Sequence, residues 1–443
     1  MTAMNEQQLE ELLTRFTNSL RVAPLDLTKP EDEKLYVNGL HGDVDAVARL
    51  RREILRVEGG GVFLFTGQPG SGKSTELQRL RRDLLRKGCQ VFYCDLEEWL
   101  NFNAPVTLSS FLVALLSSWV DQVGTLHAQR APAERFITFL TKTRLIPENL
   151  KLDATAGPIK GQIQFALKTD EDFRRSLEEN LKRQLSSIVA QARLFIAELV
   201  VELCSNGEKC VLLADSIEKI RGFGDESDKV YESVQRLFVN EGSALRFDGV
   251  HVVYSVSPFL LEQNTQMAAS LGTGVVVNMP SVHVFERHSR HPDEKGVAAV
   301  IDLIARRFPA WSQVLTEAQL RRLVLQTGGD LRDLLRAIRI VLTDDIETLP
   351  VTDDMVEYAL KQITPSKAIP AEHVGWLARL DTSHEPELSD KIDGRLLQRY
   401  LTTKHVLVYL NGEQWYAVHP MLCDWVGERA KLAAAAPIVN NPN

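Results

Sequence analysis

Apolar positions fall in two rhythms along this chain. Short unbroken runs, bounded by glycine, proline or charge, recur at Val62–Phe65, Cys89–Asp95, "KCVLLADS", "GVHVVYSVSP" and "GVVVNMP". Runs of that length read as fully buried strands. Between them the spacing changes to helical. Val44, Val47, Leu50, Ile54 and Leu55 line one face, and Leu77, Leu80 and Leu84 another. Residues 107 to 143 also read as helix, with Pro132 as a boundary. Phe173, Leu177, Leu181, Leu185, Ile188 and Leu199 form the stripe of a long helix, and Thr169 to Asp172 read as its capping box. Strands alternating with helices predict a three-layer α/β core around a parallel sheet. Two departures stand out. "LKLDAT" and "KGQIQFALK" alternate around "AGPI", predicting a β-hairpin within residues 149 to 168. Residues 295 to 363 read as all helix, interrupted at "TGGDLRD".

Past residue 366 a helix precedes two strands joined at Asn411-Gly412. Asn-Gly between alternating strands is a strong hairpin signal, so this end reads as a small, winged-helix-like α+β module. The predicted organisation is an N-terminal helical segment (1–35), an α/β core (36–290) with a helical and hairpin insertion at about 103–204, a helical lid (291–365) and the terminal module (366–443). No internal repeat is evident, and "KLAAAAPIVNNPN" reads as a frayed tail.

Composition narrows the function classes. At 443 residues, two or three domains fit. A net charge of -8 opposes wholesale coating of nucleic acid. The five cysteines form no C-x-x-C pair and read as buried thiols of a reducing compartment. The start "MTAMNEQQLEELL" is polar, and no apolar run approaches the roughly 20 residues that span a bilayer. A cytoplasmic protein with no membrane contact is the expectation.

The chemistry concentrates in "FLFTGQPGSGKSTELQRL". Gly67-Gln68-Pro69-Gly70-Ser71-Gly72-Lys73-Ser74 matches G-x-x-x-x-G-K-[ST] between a predicted strand and a predicted helix. Glycines let backbone N–H groups converge on phosphate oxygens, and the helix end adds positive potential. Lys73 is placed to reach β/γ-phosphates, and the Ser74 hydroxyl to ligate Mg²⁺, with Thr75 next in the cradle. "VLLAD" ends in Asp215, the second metal anchor in such a site. Hydrolysis needs a carboxylate to orient or deprotonate water. Residue 216 is Ser, so Glu218 is the favoured base, with Asp95, Glu97 and Glu98 as rivals. Ser255 and Ser257 end an apolar strand and could sense a γ-phosphate. Gly328 and Gly329 end one helix, Asp330 caps the next, and Arg332 in its first turn could fold over a nucleotide. No guanine-reading N/T-K-x-D motif is evident, which favours ATP over GTP.

With "GQPGSGKS", "VLLADSIEK", "VVYSVS" and "GGDLRD" in hand, the chain resembles the AAA+ superfamily, its Orc/Cdc6-like branch and the STAND signal-transduction ATPases. The resemblance covers roughly residues 36 to 363. It implies a magnesium- and ATP-dependent switch or assembling ATPase, forming a homo- or hetero-oligomer and acting on a separate effector or client protein. Systems of bacterial antiviral defence divide effector and ATPase in this way. Arg332 would carry the sensor-2 role, and Tyr36 and Val37 would lie near adenine. "PFLLEQNTQMAASLGT" lacks the arginine that usually acts in trans, leaving Arg246, Arg287 and Arg290 as substitutes. The alternatives are a DNA-associated initiator, loader or transposition ATPase, and a scaffold that binds nucleotide without hydrolysis. Residues 366 to 443 hold eight Lys or Arg against nine Asp or Glu, which disfavours DNA, although Arg395, Arg399 and Lys404 share one side.

Overall fold

The computed structural model describes residues 5–42, 45–127, 131–143, 159–220, 227–258, 260, 267–272, 275–346, 348–388 and 394–435. They form two compact units: one of Ala46–Gly67 and Lys73–Asn278, the other of Met1–Asp45, Gln68–Gly72 and Met279–Asn443.

The first unit is built on five parallel strands: β1 (Gly61–Thr66), β2 (Gln90–Asp95), β3 (Cys210–Asp215), β4 (Val250–Val256) and β5 (Val276–Asn278), in the order β2-β3-β4-β1-β5. All residues of β3 and β4 are buried. That is why their sequences are continuous apolar runs and not alternating ones: helices cover both faces of a parallel sheet. The Lys73–Leu85 helix packs on β2 and β3, and the Leu108–His127 helix on β2. Phe238 meets both Phe111 and Tyr254 edge to face in the core. The pairing Asp95↔Asp215 sets two carboxylates at the carboxyl ends of neighbouring strands, where ligands of open α/β sheets bind.

Three sequence expectations change. Residues Ile159–Thr169 are an α-helix, so "KGQIQFALK" is not a hairpin strand; "LKLDAT" lies outside the described residues. Ile163, Ala166 and Leu167 are buried while Phe165 is 70% exposed, so the run obeys i, i+3, i+4 spacing. The cap of the next helix, Glu171–Leu203, is Asp170 and not Thr169; its carboxylate accepts from the Phe173 N–H. Within that helix, Lys182–Leu203 is long and apolar enough to cross a membrane by length and composition, which the sequence reading missed. Its Ile188, Ala192, Phe195, Ile196 and Leu199 are buried in the core of this unit, against the helices of the insertion.

In the second unit, helices Glu6–Ser19, Glu294–Arg307, Glu317–Gln326, Leu331–Leu342 and Asp353–Ile363 share one apolar core, with Phe16 stacked on Phe308 at 4.5 Å. Helices Ala371–Ser383, Gly394–Thr402 and Cys423–Ala435 surround a second core. The antiparallel hairpin β6 (Val406–Asn411) and β7 (Glu413–Val418) joins the two. Leu407, Tyr409, Trp415 and Ala417 enter the first core, whereas Val406, Val408, Tyr416 and Val418 enter the second. The period of two thus divides one hairpin between two hydrophobic clusters, and both its faces are covered.

Candidate nucleotide site

The glycine-rich segment leaves β1 at Thr66 and enters the Lys73–Leu85 helix at Lys73. Gly70 and Gly72 hold φ of +83° and +94°, which side chains with a Cβ rarely adopt. A Cβ at Gly70 would also meet the Asp330 carboxylate at 2.3–2.5 Å. The Ser71 hydroxyl donates to the Gln68 carbonyl at 2.7 Å, closing the turn.

Lys73 is almost fully buried, its ammonium donating to the Gly67 carbonyl at 2.9 Å and lying 3.2 Å from Glu218 Oε1. Glu218 reaches it because the chain reverses immediately after β3. Ser216 takes a left-handed conformation (φ 71°), and Ile217–Lys219 form a short 3-10 turn. Ser255, at the end of β4, donates its hydroxyl to Glu218 Oε2 at 3.0 Å. Burial opposes ionisation of Glu218, but the Lys73 charge, a backbone N–H and the Ser255 hydroxyl together hold its carboxyl below the usual range.

Asp215 is fully buried. Its Oδ1 accepts from the Ser216 N–H at 2.8 Å, its Oδ2 accepts from the Tyr93 hydroxyl at 2.5 Å, and the Ser74 hydroxyl also bonds it. Burial and the nearby Glu218 charge raise its pKa, and those three bonds oppose the rise. A buried carboxylate bonded to a hydroxyl is a hard-oxygen donor pair. It suits a magnesium ion that brings phosphate and water as its other ligands, not an all-protein cage. Among the described residues, no cluster of three or more His, Cys, Asp or Glu offers such a cage. The Thr66 hydroxyl, at the end of β1, and the Ser216 hydroxyl, next to Asp215 in the chain, are buried without a hydrogen-bond partner.

Lys73, Ser74, Asp215 and Glu218 therefore converge, though Lys73 and Glu218 lie 145 positions apart in the sequence. Two of the rivals of Glu218 have partners of their own. Glu97 pairs with Lys219 at 2.5 Å, and Asp95 accepts from the Glu97 N–H. Tyr93 is the residue that sequence reasoning missed; a tyrosine in an apolar strand carries no signal of its own.

In the other unit, Asp330 caps the Leu331–Leu342 helix by accepting from the Asp333 N–H. Lys404 lies 2.6 Å from Asp330 and 2.7 Å from Asp333. Arg332 is exposed in the first turn of that helix. Tyr36 and Val37 are buried in apolar clusters. Arg287 pairs with Glu413, and Arg290 with Asp381 and the Val418 carbonyl, so both are tied within this unit. Arg246 is exposed.

A glycine-rich loop after β1, a strand-end aspartate on β3, and β4 inserted between those two strands are the arrangement of the P-loop nucleotide-binding fold. Among solved structures the chain is similar to the Walker-type ATPase paby2304 of Pyrococcus abyssi, at 12% identity over 92% of this chain and 99% of that one, with a TM-score of 0.44. It is similar also to the ADP form of the Aeropyrum pernix ORC2 protein, at 11% identity over 91% and 98%, with a TM-score of 0.44. A third likeness is to NtrX from Brucella abortus in complex with ADP, at 13% identity over 90% and 72%, with a TM-score of 0.30. No protein-family model and no curated protein matches the chain.

Proposed function

We propose that this chain binds ATP with Mg²⁺ and hydrolyses it slowly or on stimulation, acting as a nucleotide-driven switch or assembly on a separate partner protein. The observation that carries the reading is the buried group Lys73–Glu218–Ser255 beside Asp215–Ser74 at the carboxyl edge of the sheet. In this reading the Gly67–Thr75 backbone cradles phosphates, and Lys73 exchanges Gly67 and Glu218 for β/γ-phosphate oxygens. Glu218, relieved of the ammonium, accepts a proton from the attacking water. Ser74 and Asp215 would hold a magnesium ion, which would supply positive charge to offset that of the phosphates. Because Glu218 is engaged by both Lys73 and Ser255, turnover requires a rearrangement, consistent with a slow or partner-stimulated enzyme. A cytoplasmic defence system with a separate effector is the proposed setting, by analogy of family only.

Ser216, in the position where many such ATPases carry glutamate, favours a second reading: a scaffold that binds nucleotide without hydrolysis. The DNA-associated alternative is weakened by two observations. Lys404, counted in the basic face with Arg395 and Arg399, is spent on Asp330 and Asp333. The hairpin that would serve as a wing is covered on both faces.

The test follows molecular mass by light scattering together with phosphate release, in apo, ADP and ATP samples. Wild type changes mass with ATP; Lys73→Ala does not. Glu218→Gln keeps the ATP-dependent mass and loses about 10²-fold or more in turnover. Full turnover in Glu218→Gln would move the base to Asp95, Glu97 or Glu98. A mass indifferent to nucleotide in wild type would sink the switch, and absent turnover with retained binding would select the scaffold.

A further inference from the structure

Among the described residues β2 is an edge strand, paired only with β3. The outward N–H and C=O of an edge residue have no strand to bond, and an unpaired buried backbone group is costly. At Tyr93 both are satisfied by one side chain. Gln122, on the Leu108–His127 helix, accepts from the Tyr93 N–H at 2.9 Å and donates to the Tyr93 carbonyl at 2.8 Å. The carboxamide thus takes the place of a sixth strand at a single residue, and its Nε2 also donates to the Ser118 carbonyl one turn back on its own helix. Tyr93 in turn delivers its hydroxyl to Asp215 Oδ2 at 2.5 Å. The register explains the reach: Tyr93 is opposite Leu213 and shares the sheet face of Asp215, two residues on.

We propose that Tyr93 is a positioning residue for the magnesium-side carboxylate, and that Gln122 holds Tyr93 in place, linking the Leu108–His127 helix to the metal site. This rests on the reading of Asp215 as the carboxylate facing Mg²⁺. The Ser216 N–H tethers Oδ1, and the Ser74 hydroxyl, the other group bonded to this carboxylate, is itself read as facing the ion. Without the phenol, the carboxylate turns about its terminal torsion, which is broad for an aspartate, and the lone pair aimed at the ion is no longer fixed. A hydrogen bond to a charged acceptor is among the stronger ones in a protein, so its removal registers in ion affinity. The phenol neither touches phosphate nor transfers a proton; its effect passes through Asp215.

The experiment titrates Mg²⁺ into the full-length protein with a fluorescent ATP analogue and repeats the binding in EDTA. Wild type, Tyr93→Phe, Gln122→Ala and Asp215→Asn are compared. Tyr93→Phe is expected to raise the half-saturating Mg²⁺ concentration about 5- to 10-fold, an effect of one lost charged hydrogen bond, with binding in EDTA unchanged. Gln122→Ala shifts the same curve in the same direction by a smaller factor. Superimposable Mg²⁺ curves for wild type and Tyr93→Phe, with Asp215→Asn displaced, would overturn the role of Tyr93 while leaving the site reading intact. Binding indifferent to Mg²⁺ in wild type and Asp215→Asn alike would overturn the site reading and, with it, this inference. Equal loss of binding in EDTA and in Mg²⁺ would make Tyr93 merely structural and overturn the proposal.

Discussion

Replacing Lys404 by methionine isolates the electrostatics of the second unit. Asp330 has a side chain only 4% exposed and caps the Leu331–Leu342 helix, and the Lys404 ammonium lies 2.6 Å from it. The same ammonium lies 2.7 Å from Asp333. Methionine keeps the length and apolar stem of lysine but leaves two carboxylates facing one another. Removing one partner of a buried pair costs about 3–5 kcal/mol. Lys404 is 22% exposed and Asp333 14%, so water shares the load and the low end applies, about 3 kcal/mol. The loss carries a pH signature. Burial already raises the Asp330 pKa, with Lys404 opposing the rise. Without Lys404 the folded-state value climbs further. A carboxyl whose folded pKa is raised contributes stability that is present below its unfolded pKa and lost as pH rises through the folded one. The deficit of Lys404→Met is therefore largest at neutral pH and shrinks as the pH is lowered and Asp330 takes up a proton. Urea unfolding monitored by tryptophan fluorescence measures both, since Trp376 and Trp415 are buried in this unit. Adding Asp330→Asn to Lys404→Met restores most of the loss, because asparagine still caps the helix. A deficit below about 0.5 kcal/mol, as for a surface ion pair, would refute the reasoning, as would one independent of pH or unrelieved by the double substitution.

Two further outcomes follow from the same unit. Gly70→Ala places a Cβ against the Asp330 carboxylate and in a left-handed conformation, a backbone cost of about 1–2 kcal/mol before any clash. Its nucleotide affinity by calorimetry is expected to fall at least about tenfold; wild-type affinity and thermal midpoint would show that the loop has another conformation. His419 is fully buried, and burial, with the charges of Lys404, Arg290 and His405, pushes its pKa down to about 3. A depressed folded pKa gives stability that is present above the unfolded value and lost as pH falls toward the folded one. Stability should thus drop by about 1.4 kcal/mol per pH unit below pH 6.5 on account of this group. His419→Gln should flatten that slope, and an unchanged slope would show that His419 is not the titrating group.

What the sequence determined by itself is whatever consecutive residues encode. The glycine-rich turn between β1 and the Lys73–Leu85 helix was legible because Gly70 and Gly72 hold positive φ, a demand met by residue type alone. The strands were legible because a parallel sheet buries both faces of each strand, leaving unbroken runs such as "CVLLAD". Asp330 as a helix cap was legible because capping is a local bond. The segment Ile159–Thr169 was misread because alternation and helical spacing coincide over so few residues; burial of Ile163, Ala166 and Leu167, with Phe165 outward, chose between them. Tertiary structure alone decided the rest. Tyr93 and Asp215 are 122 positions apart, and Lys404 and Asp333 71 apart, so neither pair leaves a periodic trace. The left-handed Ser216 turns Glu218 onto Lys73, a direction no residue type encodes. The two faces of the β6–β7 hairpin alternate in sequence as any hairpin would, yet only packing revealed that each faces a separate core. Local geometry is set by backbone sterics within a few bonds, whereas these contacts are set by which elements bury which surfaces.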